Sequence, residues 1–436
     1  MTLFAKRFLL VFFLAMVLVP VLQGRFHFSK EAGLHGAFAE VARPTLTWDS
    51  LRANTYQPAL EQYMEEQLGF RAYLVRLRNQ LKFSLFRTLE SREILVGQHN
   101  MLFQPSAVAS YAGHDCLPAA EVRFRVRRLR AVQRALRQHG VQFLFVLAPG
   151  KARLYPENLP PAQRPAPGTP TNYTRFTAAL QADSVALLNF VPVFAHWKST
   201  RPYPLFPSAG AHWSGYGATL AADTLLRCLE QLGQLRFPLV RTVGPPRIVH
   251  TADSLRGTDN DLSWLMNLMW LPAATPLAYR QLAFAPPGPG QMRPSALFVG
   301  DSFTWGLMLF SPYMQREFAE DTRFWYYNNA VHLPDSVYHD TGQKVADLNL
   351  RQQLESRRFV VLVLTEHNLA ENEFGFTEQV YHLYHPLTAA DQTAIDKLAE
   401  KLTSQATWEE QTKDLEGLIQ RSRQQAHALF DRQHLQ

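Results

Sequence analysis

Cysteine is scarce in this chain, with only Cys116 and Cys228 among 436 residues. Neither belongs to a C-x-x-C pair, which excludes the usual cysteine-based zinc motifs. Outside the cytoplasm the two could form one disulfide, and two free thiols fit the sequence equally well. Cysteine chemistry therefore does not define the function.

Charge is also modest, since charged residues make up 19% of the chain and the net charge is +7. The basic residues are spread out, and no basic run is interleaved with aromatic residues, so the sequence shows no nucleic-acid-binding motif. The excess positive charge fits a solvated surface, or an anionic partner such as an acidic polysaccharide or a membrane surface. A hydrophobic content of 47% predicts a globular bulk.

Long apolar runs are absent after the N-terminus, where Lys6 and Arg7 precede the uninterrupted apolar segment 8–22. A spanning helix needs about 20 apolar residues, and the hydrophobic part of a signal peptide has about 7–15. No A-x-A cleavage motif follows, which favours an uncleaved signal anchor over a cleaved signal. Both interpretations place the rest of the chain outside the cytoplasm.

Strand and helix patterns alternate through the middle of the chain. A basic helical pattern at 121–140 is closed by Gly140 and leads directly into the apolar run 141–149. This rhythm is typical of a parallel α/β sheet. Further buried strands are predicted at 184–194, 295–303, 322–329 and 358–369, and a helix at 212–233. The sequence therefore predicts an α/β fold with a mostly parallel sheet.

The flanking segments have their own patterns. Residues 47–92 show apolar spacings of three and four, which predict an amphipathic helical stalk, and 93–103 are predicted to form a hairpin. Six prolines between 156 and 170 predict a surface loop. Residues 234–292 are predicted to be irregular, and the chain from 386 onward to be polar and helical.

A serine stands at the end of one predicted strand, where residues 295–299 run into Gly300, Asp301 and Ser302. A serine hydroxyl becomes a nucleophile only with a base within hydrogen-bond reach, a group that orients the base, and N–H donors for the oxyanion. Gly300 permits a tight turn, and Asp301 is predicted to cap it. The alternative is an ordinary helix N-cap without catalytic meaning.

The segment "GDSF" (300–303) after a buried strand resembles the first conserved block of the SGNH (GDSL-type) hydrolases. In the ordinary family a histidine follows late in a D-x-x-H motif, and Asp431 to His434 is interpreted as a chance match in the charged tail. A better resemblance is to the alginate O-acetyltransferases of the AlgJ and AlgX type, where a D-x-H-W-S segment precedes the serine. Here "GAHWSGYGA" (210–218) precedes "GDSF". The segments 63–79, 94–103 and 145–160 also resemble that family in order and spacing.

The resemblance implies that Ser302 is the nucleophile and His212 the general base. The family's aspartate falls on Gly210, which cannot orient an imidazole. Another carboxylate, a backbone carbonyl, or loss of activity would then account for the difference. The candidate carboxylates are Asp259, Asp261 and Glu366.

Other residues are candidates for contacts with the substrate or the oxyanion. Asn328 and Asn329, at the end of the predicted strand 322–329, could donate to an oxyanion, and His367 could line the same cleft. Lys151 and Arg153 could bind an acidic sugar, although solvated loop charges are the simpler interpretation. Aromatic side chains that could stack on a sugar ring, or form part of the core, are Trp305, Trp325, Tyr326 and Tyr327.

The resemblance implies an SGNH-like three-layer α/β/α fold and acetyl transfer to a polysaccharide outside the cytoplasm, without a metal or cofactor. It also implies a membrane acyltransferase of the MBOAT type as acyl donor, and a periplasmic domain held by a single inner-membrane anchor. The expected organisation is an anchor (1–24), a helical stalk and hairpin (25–110), the SGNH-like domain (111–385) and a helical extension (386–436). An acetylesterase, or a non-catalytic scaffold of polysaccharide export, are the alternative functions.

Overall fold

The computed structural model describes residues 3–36, 41–89, 91, 93–273, 275–335, 338–407 and 415–435. Its strands are β1 Leu95–Val96, β2 Leu102–Phe103, β3 Gln142–Ala148, β4 Leu187–Asn189, β5 Val240–Thr242, β6 Arg247–Val249, β7 Leu277–Tyr279, β8 Leu282–Phe284, β9 Ala296–Gly300, β10 Arg323–Tyr326, β11 Ala330–His332, β12 Asp340–Lys344 and β13 Phe359–Thr365. Its helices are α1 Leu3–Phe26, α2 Trp48–Arg52, α3 Tyr56–Glu66, α4 Arg71–Phe86, α5 Pro105–Tyr111, α6 Ala119–Gln138, α7 Lys151–Leu154, α8 Asn172–Ala182, α9 Phe190–Thr200, α10 Gly215–Gly233, α11 Asp261–Leu265, α12 Gly306–Leu309, α13 Tyr313–Glu317, α14 Leu350–Glu355, α15 Phe376–Tyr384, α16 Ala389–Gln405 and α17 Leu415–His434.

A seven-stranded sheet in the order β12-β11-β10-β9-β13-β3-β4 forms the centre of the molecule. From β10 to β4 every neighbouring pair is parallel, and β11 and β12 add an antiparallel edge. Strands β3, β9 and β13 are apolar at almost every position because both of their faces are buried.

Successive residues of the central strands enter two different cores. Val361 and Val363 of β13 pack with α9, α10 and α12 on one face, whereas Val360 and Leu362 pack with α6, α8 and α15 on the other. The fold is therefore a three-layer α/β/α arrangement, as predicted for an SGNH-like domain. In such a sheet, ligands bind beyond the carboxyl ends of the parallel strands.

The terminal parts of the chain pack beside this domain. Among the described residues, α1 alone is long and apolar enough to cross a membrane. The amide of Gly69, between α3 and α4, donates to Pro20 O of α1 at 3.1 Å. At the other end α16 and α17 share a small apolar cluster. The buried Arg128 of α6 pairs with Glu378 of α15 at 3.2 Å and lies 3.8 Å from Asp431 of α17.

Two element predictions are corrected. The segment 184–194 contains a short, half-buried edge strand and not a long buried one, because Asn189 accepts a hydrogen bond from Val191 N at 3.0 Å and starts α9. The segment 234–292 is more regular than predicted, since β5 pairs with β8 and β6 with β7. Cys116 and Cys228 are both free thiols.

Candidate active site

Ser302 begins a 3-10 turn directly after β9. A Cβ at Gly300 would lie 2.4 Å from Val363 O of the neighbouring strand, so only glycine lets the chain turn this close to β13. Ser302 is thereby presented at the carboxyl edge of the sheet, between β10 and β13.

The carboxylate of Asp301 fixes this turn through hydrogen bonds. Its Oδ1 accepts from Phe303 N at 3.0 Å, which is the capping role predicted from the sequence. Its Oδ2 accepts from the amide and the hydroxyl of Thr365, each at 2.7 Å, and from Asn368 Nδ2 at 2.8 Å. Because the Oδ2 bonds run to the last residue of β13 and to the turn after it, the carboxylate holds the Ser302 turn against the neighbouring strand.

Ser302, His212 and Asp261 form one hydrogen-bonded line. Ser302 Oγ lies 2.8 Å from His212 Nε2, and His212 Nδ1 lies 2.5 Å from Asp261 Oδ2. Nδ1–H donating to the carboxylate leaves Nε2 free to accept from the serine hydroxyl. The imidazole is 9% exposed and packs on Phe303, with ring centroids 4.8 Å apart. This is the geometry of a nucleophile, a base and an orienting acid.

The carboxylate comes from a segment 49 residues after the histidine. Asp261 begins α11, and its Oδ1 accepts from Ala211 N at 2.8 Å, so both of its oxygens bind the 211–212 segment. Ser263 N also donates to Ala209 O at 2.9 Å. At Gly210 a Cβ would lie 2.5 Å from Thr258 O. The segment that carries Asp261 thus occupies the space that a side chain at 210 would need.

Lys151 supports the loop that carries His212. Its Nζ donates to the carbonyl oxygens of Leu102 and Gly210 at 2.7 Å and of Ser208 at 3.2 Å, and the side chain is 3% exposed. Burial lowers its pKa to about 7, against the raising effect of Asp261. The predicted substrate contact of Lys151 is therefore corrected to a structural one.

Asp259 lies near this segment but its carboxylate serves another element. Its Oδ2 accepts from Tyr279 OH at 2.7 Å and from Gly215 N, the start of α10, at 3.3 Å. The side chain is fully buried. Burial raises the pKa of Asp259 to about 7, although these two hydrogen bonds lower it. The structure does not bring Asp259 to the imidazole.

Glu366, the third candidate acid, pairs with Arg153 instead. Glu366 Oε2 accepts from Arg153 Nε at 2.6 Å, and the guanidinium lies over the rings of Tyr111 and Tyr173. Burial raises the pKa of Glu366, and the charge of Arg153 opposes that shift. Glu366 and Arg153 thus balance each other's charge at the end of β13.

The three residues predicted to contact the oxyanion or the substrate, Asn328, Asn329 and His367, have different environments. The Nδ2 of Asn328 donates to Phe374 O and Gln379 Oε1, both at 3.1 Å, so its predicted donor role is corrected. Asn329 is exposed. His367 lies beside Phe303, and burial lowers its pKa although the nearby Asp301 raises it.

The aromatic residues also divide. Trp305 and Trp325 are buried in the core, whereas Tyr327 is 38% exposed. Tyr338, which no sequence pattern marked, is also exposed, and its ring packs 4.4 Å from that of Trp305. Partial burial of its hydroxyl raises the pKa of Tyr338, and the charge of Asp261 adds to that shift. No group of His, Cys, Asp and Glu positioned to hold a metal ion occurs in the described part of the chain.

Sequence comparison defines the class of protein. Residues 94–322, just over half of the chain, match the family described as "SGNH hydrolase-like domain, acetyltransferase AlgX", and this range contains both His212 and Ser302. The chain therefore belongs to the SGNH hydrolase-like acetyltransferases of the AlgJ and AlgX type, as the sequence motifs predicted.

Individual relatives are more distant. The chain is 27% identical over 152 residues to a "Probable alginate O-acetylase AlgJ" of Pseudomonas putida strain KT2440, covering 35% of this chain and 37% of that protein. It is 25% identical over 183 residues to the protein of the same description from Azotobacter vinelandii, covering 41% and 44%. The matches thus span less than half the length of each relative. The solved O-acetyltransferase domain of Pseudomonas putida AlgJ aligns with a TM-score of 0.43 at 18% identity, over 66% of this chain and 99% of that domain.

Proposed function

We propose that this protein is an exported, membrane-anchored O-acyltransferase that moves acetyl groups onto hydroxyls of a polysaccharide outside the cytoplasm. One observation carries the proposal: in an acetyltransferase family, Ser302, His212 and Asp261 lie in line at 2.8 and 2.5 Å. The similarity to proteins described as alginate O-acetylases supports an acidic polysaccharide as acceptor. The net charge of +7 is compatible with such a polymer.

In the first half-reaction the Ser302 hydroxyl gives its proton to His212 Nε2 while Oγ bonds to the acyl carbonyl carbon. The carbonyl π electrons move onto oxygen, and the tetrahedral intermediate collapses when the donor's leaving group departs and takes the proton from His212. Asp261 holds the imidazole in the required tautomer and stabilises its charged form. The result is an acetyl ester on Ser302.

In the second half-reaction a sugar hydroxyl replaces the leaving group. Its proton passes to His212 as its oxygen attacks the ester carbon, and Ser302 Oγ departs and recovers the proton. Water in place of the sugar would give an esterase, which uses the same side chains. An MBOAT-type membrane acyltransferase is the proposed acyl donor, because acetyl-coenzyme A is a cytoplasmic compound.

The test uses the full-length protein in detergent with p-nitrophenyl acetate, with and without an oligosaccharide acceptor. We expect Ser302→Ala, His212→Ala and Asp261→Asn each to reduce acetyl release by at least about 100-fold while remaining folded. Asp259→Asn is the matched control, because its carboxylate does not contact the imidazole, and it should retain activity. Mass spectrometry should detect an acetyl group on Ser302.

The outcomes separate the alternatives. Acetylated oligosaccharide supports transfer, whereas release of free acetate that the acceptor does not change indicates an esterase. A wild-type protein as inert as Ser302→Ala, with no acetyl-serine, would contradict both and favour a scaffold in polysaccharide export.

A further inference from the structure

The turn between β10 and β11 has an unusual backbone. Its two central residues, Tyr327 and Asn328, both have positive φ, at 49° and 51°. Turns with positive φ at both central positions prefer Asn-Gly or Asp-Gly, and a bulky residue at positive φ is uncommon. Such a conformation persists where the surroundings enforce it, and these positions cluster at functional sites.

The surroundings of this turn tie it to the nucleophile. Tyr326 pairs with Gly300 in the parallel register of β10 and β9, and Tyr327 N donates to Gly300 O at 2.9 Å. On the other side, Asn328 is held by its hydrogen bonds to Phe374 and Gln379. Tyr327 is therefore fixed over the turn that presents Ser302.

The phenol ring of Tyr327 is held as firmly as its backbone. It packs edge-on against Phe374, with centroids 4.8 Å apart, and lies 4.4 Å from the ring of Tyr326. Burial and the charge of Asp301 raise the pKa of Tyr327, so its O–H stays protonated and can donate. Hydrogen bonding by the hydroxyl and the backbone amide of Ser302 opposes this shift without outweighing it, so the phenol oxygen lies beside the Ser302 turn.

We propose that the Tyr327 hydroxyl donates a hydrogen bond to the oxyanion that forms when Ser302 attacks the acyl carbonyl. Ser302 Oγ gives its own proton to His212, and the phenol of Tyr327 lies beside the same serine without being needed for that proton transfer. An oxyanion that accepts the Ser302 amide lies next to the same phenol, and two donors would then share the developing charge. Asn328, the neighbour predicted for this role, is occupied elsewhere.

This inference rests on the proposed acyl transfer through Ser302. Its test is Tyr327→Phe in the full-length protein in detergent, with p-nitrophenyl acetate as substrate. The change removes only the hydroxyl and keeps the ring on Phe374, so the thermal midpoint should stay within about 2 °C. We expect kcat to fall about 10- to 1,000-fold with KM changed less than about threefold, since the hydrogen bond strengthens only as charge develops.

The matched control is Tyr384→Phe, which removes a hydroxyl that lies 3.4 Å from Glu355 on the other face of the sheet. It should keep the wild-type kcat. Inhibition by an alkylboronic acid gives a second readout, because its tetrahedral adduct with serine carries an oxygen in the oxyanion position. Tyr327→Phe should weaken that inhibition at least about tenfold.

The possible results are distinguishable. If the wild type turns over, Ser302→Ala is inert and Tyr327→Phe loses kcat and boronate affinity, the inference stands. If Tyr327→Phe equals the wild type, or changes KM alone, the inference is overturned while the proposed function remains. If the wild type is as inert as Ser302→Ala, both are overturned.

Discussion

At the scale of single residues, Asp259 and Asp261 are two positions apart and have opposite environments. Asp261 is 30% exposed at its side chain and binds the imidazole, whereas Asp259 is fully buried under Tyr279. A carboxyl group that is buried without a cation beside it favours its neutral form. The position of Asp261 suits an acid that orients a base, whereas Asp259 suits a structural role as a buried hydrogen-bond acceptor.

Asp259 therefore makes the stability of the protein depend on pH. Burial raises its pKa from 3.8 to about 7, so the folded state binds the proton more tightly than the unfolded state. The stabilisation is complete below about pH 4 and is lost as the pH rises through about 7. Asp259→Asn replaces the neutral acid with a group that does not titrate. We expect its Tm, relative to the wild type, to rise between pH 4 and 8 by about 2–4 °C or more.

Thermal unfolding followed by tryptophan fluorescence at several pH values measures the Tm difference between Asp259→Asn and the wild type. Because the two proteins share all their other titratable groups, the contributions of those groups cancel in this difference. Asp261→Asn is the control, because its side chain is partly exposed and not confined to the core. A Tm difference that stays flat across this pH range would mean that Asp259 is ionised in the folded protein.

Residue chemistry was only partly predictable. The motifs around Ser302 and His212 singled out those two side chains because they are short and local. The acid remained open among Asp259, Asp261 and Glu366, because its identity depends on how a segment about 50 residues away packs on the histidine loop. Lys151 was misjudged because a lysine in a loop is usually solvated, and only the tertiary structure surrounds this one with carbonyl oxygens.

At the scale of elements, the short helix α11 and the loop before α10 act as one unit. Three contacts join them: Asp261 with the amide of Ala211, Asp261 with His212, and Ser263 N with Ala209 O. The loop can receive α11 this closely because residue 210 has no side chain. The departure from the family's aspartate and the use of Asp261 are therefore two aspects of one packing arrangement.

Gly210→Ala should separate these two elements. The new Cβ would lie 2.5 Å from Thr258 O and 2.9 Å from Pro207 Cγ, so backbone must move. We expect a destabilisation of about 1–3 kcal/mol, typical of overpacking, and a fall in acetyl release of about tenfold or more as Asp261 shifts from His212. Rates with p-nitrophenyl acetate and the Tm of the same samples measure the two effects.

Gly33→Ala is the control for this change, since its Cβ would meet nothing within 4 Å. It should leave both rate and Tm unchanged. Full activity in Gly210→Ala would show that the loop and α11 can part without affecting the reaction.

Strands and helices could be predicted from the sequence where the hydrophobic pattern was long. The α/β alternation and the hairpin at β1 and β2 are confirmed, because buried parallel strands and Gly-closed helices have strong signatures. The strand predicted for 184–194 was wrong beyond Asn189, because an apolar run of that length fits a strand or a buried helix equally well. The capping bond of Asn189, which decides between them, depends on its rotamer and not on the pattern.

At the scale of the whole molecule, the apolar helix α1 is joined to the rest of the protein at its C-terminal end. Gln23 is buried, and its Oε1 accepts from Ser29 N at 3.0 Å. Glu31 accepts from Phe70 N at 2.7 Å, and Gly69 N binds Pro20 O. Cleavage after residue 24 would remove Pro20 and with it the hydrogen bond from Gly69 N. The packing thus favours a helix that stays attached to the stalk.

We therefore expect the full-length chain to remain in the membrane fraction after an alkaline carbonate wash, with an intact mass that includes residues 1–24. Leu14→Arg should shift most of it out of that fraction, because an arginine at the centre of a spanning helix costs about 2.5–3.5 kcal/mol. Leu3→Arg is the matched control, since a charge near the helix end reaches the headgroups, and it should stay in the membrane. A soluble wild-type chain that begins after residue 24 would instead identify α1 as a cleaved signal, and the acyl-transfer site would then work without a fixed distance from the bilayer.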